Sequence, residues 1–156
     1  MLGTQCRDLK RYGEAEQYFN TLLFQVSSNA VLAADIKREL ALVFLANEEY
    51  PRAEASLEEA LTIEKQQRNQ HGEALSHELI GLVRSRYRWT QARRAFNLSK
   101  SIFETINNEE GVRRVQGRID LMEAGRSAEL QRRKEKRHTA RSARPTVDVT
   151  SQPTVH

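Results

Sequence analysis

The stretch that decides the fold is residues 37–68, KRELALVFLANEEYPRAEASLEEALTIEKQQR. Apolar side chains recur at helical spacing in both of its halves, and a polar break of Asn47, Glu48 and Glu49 separates them. Pro51 suits the first turn of the second helix, because the N–H that proline lacks would have no helical partner there. We therefore predict two amphipathic helices folded back on each other. One such pair cannot bury its apolar faces alone, so it should be one unit of a stack.

The pattern of the second helix occurs twice more in the chain, as a stack of units requires. It reads aromatic-x-x-Ala-x-x-x-bulky, and its aromatic residues are 38 and then 39 positions apart. A large ring would start the helix, a small residue would let two helices approach, and a bulky residue would fill the next layer. Any amphipathic helix can show such spacing by chance, but three copies in step favour a repeat. The aligned positions are Tyr12, Ala15, Phe19 and Leu22; Tyr50, Ala53, Leu57 and Ala60; and Trp89, Ala92, Phe96 and Ser99.

These residues resemble the tetratricopeptide repeat, a helix–turn–helix unit of about 34 residues. The family places a Leu-Gly pair on the first helix, and the matching pairs here are Leu2-Gly3, Leu40-Ala41 and Leu79-Ile80, with Gly81 one residue late. The longer period is similar to that of the variant in kinesin light chains and signalling scaffolds. The resemblance implies an all-α fold, a right-handed α-solenoid of about three helix–turn–helix repeats closed by a C-terminal capping helix at residues 109–124.

Three segments follow from pattern and composition. Residues 1–124 form the repeat domain, whose first repeat is incomplete because residues 1–11 supply only the later part of a first helix. Residues 125–138 are a basic helical extension, because their residue types favour helix. Residues 139–156 are rich in Thr, Ser, Pro and Val without periodicity, which predicts a disordered tail. Residues 112–144 hold 11 Lys or Arg against 4 Asp or Glu, so the positive net charge comes from this end.

The resemblance also implies a binding surface, since the first helices of stacked pairs line a concave groove. The groove candidates are Asp35, Arg38, Glu39 and Leu42 in the second unit, and His77, Glu78, Gly81, Arg84 and Ser85 in the third. Family members that hold the acidic tail of chaperones use a clamp of Lys, Asn and Arg. Glu39, Leu42 and Glu78 stand at those places here, which argues against a chaperone-tail receptor. The alternative is that these residues are a solvated face and that binding uses repeats further upstream.

The sequence offers little chemistry for catalysis. The four histidines have no Cys or carboxylate partner at metal-ligand spacing, and no glycine-rich loop could hold a phosphate. Cys6 is better explained as a small packing residue than as a nucleophile. We therefore predict a non-enzymatic protein without cofactor or metal. A single cysteine fits a reducing, cytoplasmic location, and the longest apolar run, residues 41–46, is far short of the roughly 20 residues needed to cross a bilayer.

The basic run of residues 132–137 has three interpretations: a solvated helix end, a nuclear-import or nucleic-acid patch, or a contact with an anionic membrane. Its cations are Arg132, Arg133, Lys134, Lys136 and Arg137. We favour a scaffold or adaptor that binds a peptide or helix of a partner protein in the groove. The alternatives are polyanion binding through the basic segment, or a regulatory module of a larger signalling or transcription protein. The oligomeric state stays open.

Overall fold

The computed structural model describes residues 11–143. In this range the chain is helical without strands, which confirms the all-α prediction. The helices are α1 (Tyr12–Gln25), α2 (Ala30–Ala46), α3 (Tyr50–Gln66), α4 (Gln70–Arg84), α5 (Trp89–Thr105) and α6 (Glu109–Ser142). The predictions for Leu2, Gly3, Cys6 and residues 144–156 lie outside the described residues. The chain divides into two compact units, Met1–Asp120 and Leu121–His156.

In the first unit, helices α1 to α5 pack in chain order. Each contacts the next one, and α2 also contacts α4. The helices α1, α3 and α5 begin at Tyr12, Tyr50 and Trp89, the three aromatic residues that begin the sequence pattern. Pro51 lies in the first turn of α3, as expected. Eight of the twelve aligned positions are buried: Ala15, Phe19, Ala53, Leu57, Ala60, Ala92, Phe96 and Ser99.

A second repeated feature, an asparagine cap, lies at the starts of α2, α4 and α6. Asn29, Asn69 and Asn108 precede α2, α4 and α6, and each side-chain oxygen accepts a hydrogen bond from the N–H three residues later, at 3.1, 3.0 and 2.8 Å. Such a cap satisfies one of the N–H groups that a helix leaves without an internal partner. The three asparagines are 40 and 39 residues apart. The chain therefore carries the same period at the starts of both sets of helices.

Two glycines allow close approach between helices. A Cβ at Gly81 of α4 would lie 2.6 Å from the ring of Phe96 in α5, and one at Gly111 would lie 2.6 Å from the ring of Phe103. Both rings are buried, so they have little room to move away. Glycine at these positions lets an aromatic ring pack directly on the helix backbone.

The second unit is described from Leu121 to residue 143, and residues 124–143 are exposed throughout. Helix α6 ends at Ser142, four residues past the expected boundary between basic extension and disordered tail. Thr139 and Ser142 donate their hydroxyls to carbonyls of the preceding turn, which keeps these side chains compatible with helix. Along the described part of the chain, every helix is too short or too polar to cross a membrane.

Candidate binding cleft

An open cleft of about 560 Å³ lies on the first unit, where α2, α4 and α6 each contribute side chains. Its lining residues are Asp35, Arg38 and Glu39 from α2; His71, Leu75, Glu78 and Leu79 from α4; and Arg114 and Arg118 from α6. Four of the predicted groove residues are thus brought together in one place: Asp35, Arg38, Glu39 and Glu78. Three helices supply the cleft because α2 contacts α4 and Glu78 of α4 pairs with α6.

At the α2 side, Arg38 pairs with two carboxylates, those of Asp35 and Glu64. Glu64 comes from α3 and is almost fully buried, at 1% exposure. Its second oxygen accepts a hydrogen bond of 2.6 Å from the buried Ser76 hydroxyl of α4. Asp35, by contrast, keeps 49% of its side chain exposed. We call Asp35, Arg38 and Glu64 the acidic triad, because two carboxylates face one guanidinium.

At the α6 side of the cleft, cations outnumber carboxylates. The carboxylate of Glu78 accepts Arg114 Nε at 3.0 Å and Nη2 at 2.8 Å, and it also accepts Arg118 Nε at 2.6 Å. Arg114 and Arg118 are four residues apart on α6, so both reach the same carboxylate from one helix face. The hydrogen bond to Glu78 raises the pKa of Arg114 further. We call Glu78, Arg114 and Arg118 the basic triad, because two guanidiniums face one carboxylate.

Helix α4 supplies the part of the cleft between the triads. Leu75 and Leu79 are one turn apart and half-buried, so they present apolar surface to the cleft. His71 lies at the same helix's start, with its ring edge-on to Phe103 at 5.8 Å between centroids. The cleft therefore combines an apolar centre with two charged sides.

The other predicted groove residues lie elsewhere. Arg84 pairs with Glu54 of α3, and its Nη2 is 3.8 Å from Glu58. Burial raises the pKa of Glu54, but the hydrogen bonds from Arg84 and Tyr87 lower it more, so the net pKa is below its ordinary value. Arg84 thus ties α4 to α3 and does not line the cleft.

His77, Gly81, Ser85 and Leu42 are also outside the cleft lining. Burial lowers the pKa of His77, and this outweighs the carboxylate of Glu73 at 3.9 Å. Gly81 is buried under Phe96, and Ser85 donates its hydroxyl to the Leu82 carbonyl at 2.7 Å. Leu42 is half-buried.

Sequence reasoning missed Arg114 and Arg118, because residues 109–124 were interpreted only as a cap for the last apolar face. A signal was present: the 39-residue spacing that relates Trp89 to Tyr50 leads from Glu78 to residue 117, which these arginines flank. The burial of Glu64 was also not predicted from the sequence.

The predicted basic patch lies in the second unit. Its members Arg132, Arg133, Lys134, Lys136 and Arg137 are all exposed on α6, and Arg133 pairs with Glu129 one turn away. At 100° per residue, they do not share one face. A continuous face is formed instead by Arg126, Leu130, Arg133, Lys134, Arg137 and Arg141, which we call the basic stripe.

Comparison of the chain with protein-family models, with curated proteins and with solved structures finds no match in any of the three. The resemblance to tetratricopeptide repeats therefore rests on the residues quoted above.

Proposed function

We propose that the chain is a non-enzymatic scaffold or adaptor, an α-solenoid of the tetratricopeptide type that binds a peptide or helix of a partner protein. One observation carries this proposal: α2 and α4, the first helices of two successive pairs, and α6, the helix that follows them, all contribute to one open cleft. Stacked helix pairs use such surfaces to bind partners.

The cleft has the composition that peptide recognition needs. Leu75 and Leu79 can desolvate an apolar side chain of the partner, and the charged triads can set its orientation. A volume of about 560 Å³ accommodates a few side chains and not a folded domain. A peptide segment is therefore the partner that this geometry fits best.

A peptide array probed with the labelled full chain tests this function. We expect a defined set of peptides to bind, and Leu75→Gln to weaken them about tenfold or more, because burial of a leucine contributes roughly 1.5–3 kcal/mol. Leu98→Gln is the matched control, since Leu98 is 51% exposed on α5 and outside the cleft. The proposal fails if no peptide binds, or if both variants bind alike with circular dichroism showing both folded.

The basic stripe supports a second candidate function, binding of a polyanion. Its five cations follow one face of an exposed helix, with Leu130 as the single apolar member. Such a surface would contact phosphates without reading bases, and affinity would fall steeply with salt, with a slope of about −0.9 per phosphate contacted on duplex DNA.

Two double variants of equal charge test this candidate. Lys134→Gln with Arg137→Gln removes two cations from the stripe, whereas Arg132→Gln with Lys136→Gln removes two from outside it. We expect fluorescence anisotropy with a short DNA duplex to show weaker binding and a shallower salt slope for the stripe variant only. Equal losses would indicate non-specific attraction by net charge, and binding to anionic vesicles alone would assign the surface to membranes.

A further inference from the structure

The two triads of the cleft are each unbalanced by one charge, and in opposite directions. The acidic triad has the carboxylates of Asp35 and Glu64 on one guanidinium. The basic triad has the guanidiniums of Arg114 and Arg118 on one carboxylate. Glu110 lies close enough to help raise the pKa of Arg114, so it offsets part of the basic excess. The charge that is left over is balanced by solvent or by a bound partner.

The groups that carry the excess charge are also exposed, so a partner can reach them. The buried members are the two glutamates, Glu64 at 1% and Glu78 at 3% exposure. The exposed members carry the excess sign: the Asp35 side chain is 49% exposed, and those of Arg114 and Arg118 are 38% and 34% exposed. A ligand thus meets a carboxylate at the α2 side of the cleft and guanidiniums at the α6 side.

The internal pairs also hold these exposed groups in place. Arg114 uses both Nε and Nη2 on Glu78, which fixes the plane of its guanidinium. Arg118 uses Nε on the same carboxylate, and 34% of its side chain stays exposed. A guanidinium held in this way loses little side-chain freedom when a carboxylate of a ligand binds.

We propose that the cleft binds a dipolar segment of a partner protein, with a basic side chain at Asp35, an apolar side chain on Leu75 and Leu79, and an acidic side chain at Arg114 and Arg118. This inference rests on the proposed function and adds the charge pattern of the partner. A segment with only acidic groups would place one beside Asp35, and a segment with only basic groups would place one beside the arginines. Both arrangements are penalised by like-charge contact.

The dimensions set the spacing of the two charges in the partner. Packed helices lie about 8–10 Å apart, so α2 and α6, with α4 between them, are separated by about two such steps. An extended chain advances about 3.3 Å per residue. The basic and acidic residues of an extended partner segment should therefore be about five to six positions apart, with the apolar residue between them.

Synthetic peptides of about 12 residues, long enough at about 3.3 Å per residue to cross the cleft, provide the test. Two dipolar peptides carry one basic and one acidic residue on either side of a central leucine, and they differ in which charge comes first. Three comparison peptides carry two acidic, two basic or two glutamine residues at the same two positions. We expect the better dipolar peptide to bind the full chain about five- to tenfold more tightly than the glutamine peptide at low salt, as expected for two exposed ion pairs. The two single-sign peptides should bind more weakly than the dipolar one.

Variants assign each charge to its side of the cleft. Arg118→Gln should remove the advantage of the acidic residue in the peptide and leave that of the basic residue, and Asp35→Asn should do the opposite. Arg113→Gln is the matched control, because Arg113 is exposed on α6 and outside the cleft lining. Circular dichroism on each variant confirms that the fold is kept.

The outcomes separate this inference from the function on which it rests. If all peptides bind equally and Leu75→Gln weakens them all, the cleft binds peptides but the dipolar pattern is wrong. If a single-sign peptide binds best, the inference is equally overturned. If no peptide binds at all, the proposed function fails and the dipolar pattern fails with it.

Discussion

Residues 11–120 and residues 121–143 are both helical, but for different reasons. In the first segment, helices bury alanines and aromatic rings against each other. In the second, residues 124–143 are exposed throughout, and only helix-favouring residue types and pairs one turn apart, such as Glu129 with Arg133 and Gln131 with Glu135, support the helix. Helix content alone therefore does not show which segment contributes to stability. The spacing of the apolar residues does show it, because only regularly spaced apolar residues build a buried face.

The largest expected contrast comes from removing one apolar side chain in each segment. Phe96 is 1% exposed and packs on Gly81, so Phe96→Ala should lower the free energy of unfolding by about 3–5 kcal/mol. Leu130 is 48% exposed, and Leu130→Ala should change it by less than about 0.5 kcal/mol. Urea unfolding followed by circular dichroism measures both. A similar loss for the two variants would show that the second segment also has a packed core.

The second contrast replaces one paired carboxylate in each segment by its amide. Glu64→Gln leaves Arg38 without its buried partner, although Asp35 remains, so we expect a loss of about 2–3 kcal/mol. Glu129→Gln breaks an exposed pair with Arg133 and should cost about 0.5 kcal/mol or less. Thermal and urea unfolding give both values. An equally small loss for Glu64→Gln and Glu129→Gln would show that burial does not strengthen the pair between Arg38 and Glu64.

A smaller contrast uses two helical glycines. A methyl group at Gly81 would meet the Phe96 ring, and the overpacking outweighs the better helix propensity, so Gly81→Ala should destabilise by about 1–2 kcal/mol. Gly125 has open space around it. Gly125→Ala should therefore increase helicity, because alanine favours the helix over glycine by about 1 kcal/mol at that position. Unfolding curves and far-ultraviolet ellipticity report the two effects. Stabilisation by Gly81→Ala would mean that the ring shifts easily.

The smallest expected effect concerns pH and His77, a histidine of the packed first segment. Burial lowers the pKa of His77 below its ordinary value of 6.5, so the unfolded chain takes up a proton there before the folded one. Stability from His77 is therefore complete above 6.5 and is lost as pH falls towards the lower folded pKa. His77→Gln should flatten the decline in stability between about pH 7.5 and about pH 5.5. Urea unfolding at a series of pH values measures the decline, and an unchanged decline in His77→Gln would contradict this prediction.

Much of the helical framework was predictable because its signals are local. The starts of α1, α3 and α5 at Tyr12, Tyr50 and Trp89 followed from a repeated pattern of ring and alanine. The asparagine caps repeat with the same period, so they could have been recognised in the sequence as well. A cap and an amphipathic face depend on residues within a few positions of each other.

The cleft was only partly predictable, because its pairs join distant residues. Arg114 and Arg118 reach Glu78 across 36 and 40 positions, and Arg38 reaches Glu64 across 26. The spacing of residues cannot show which charged side chains of different helices meet, since that depends on how each helix is rotated against its neighbours. For the same reason Arg84 and Gly81 were assigned to the groove, although one pairs with Glu54 and the other packs on Phe96.

By itself, the sequence determined that the chain is helical, where most helices begin, and that its positive charge is concentrated towards the C-terminal end. Those properties depend on propensity, capping and the spacing of apolar residues along one chain. Only the tertiary structure decided that Glu64 and Glu78 are buried, and that an acidic and a basic triad lie on one cleft. The physical reason is that a buried carboxylate is stable only beside a cation that packing brings to it from another helix.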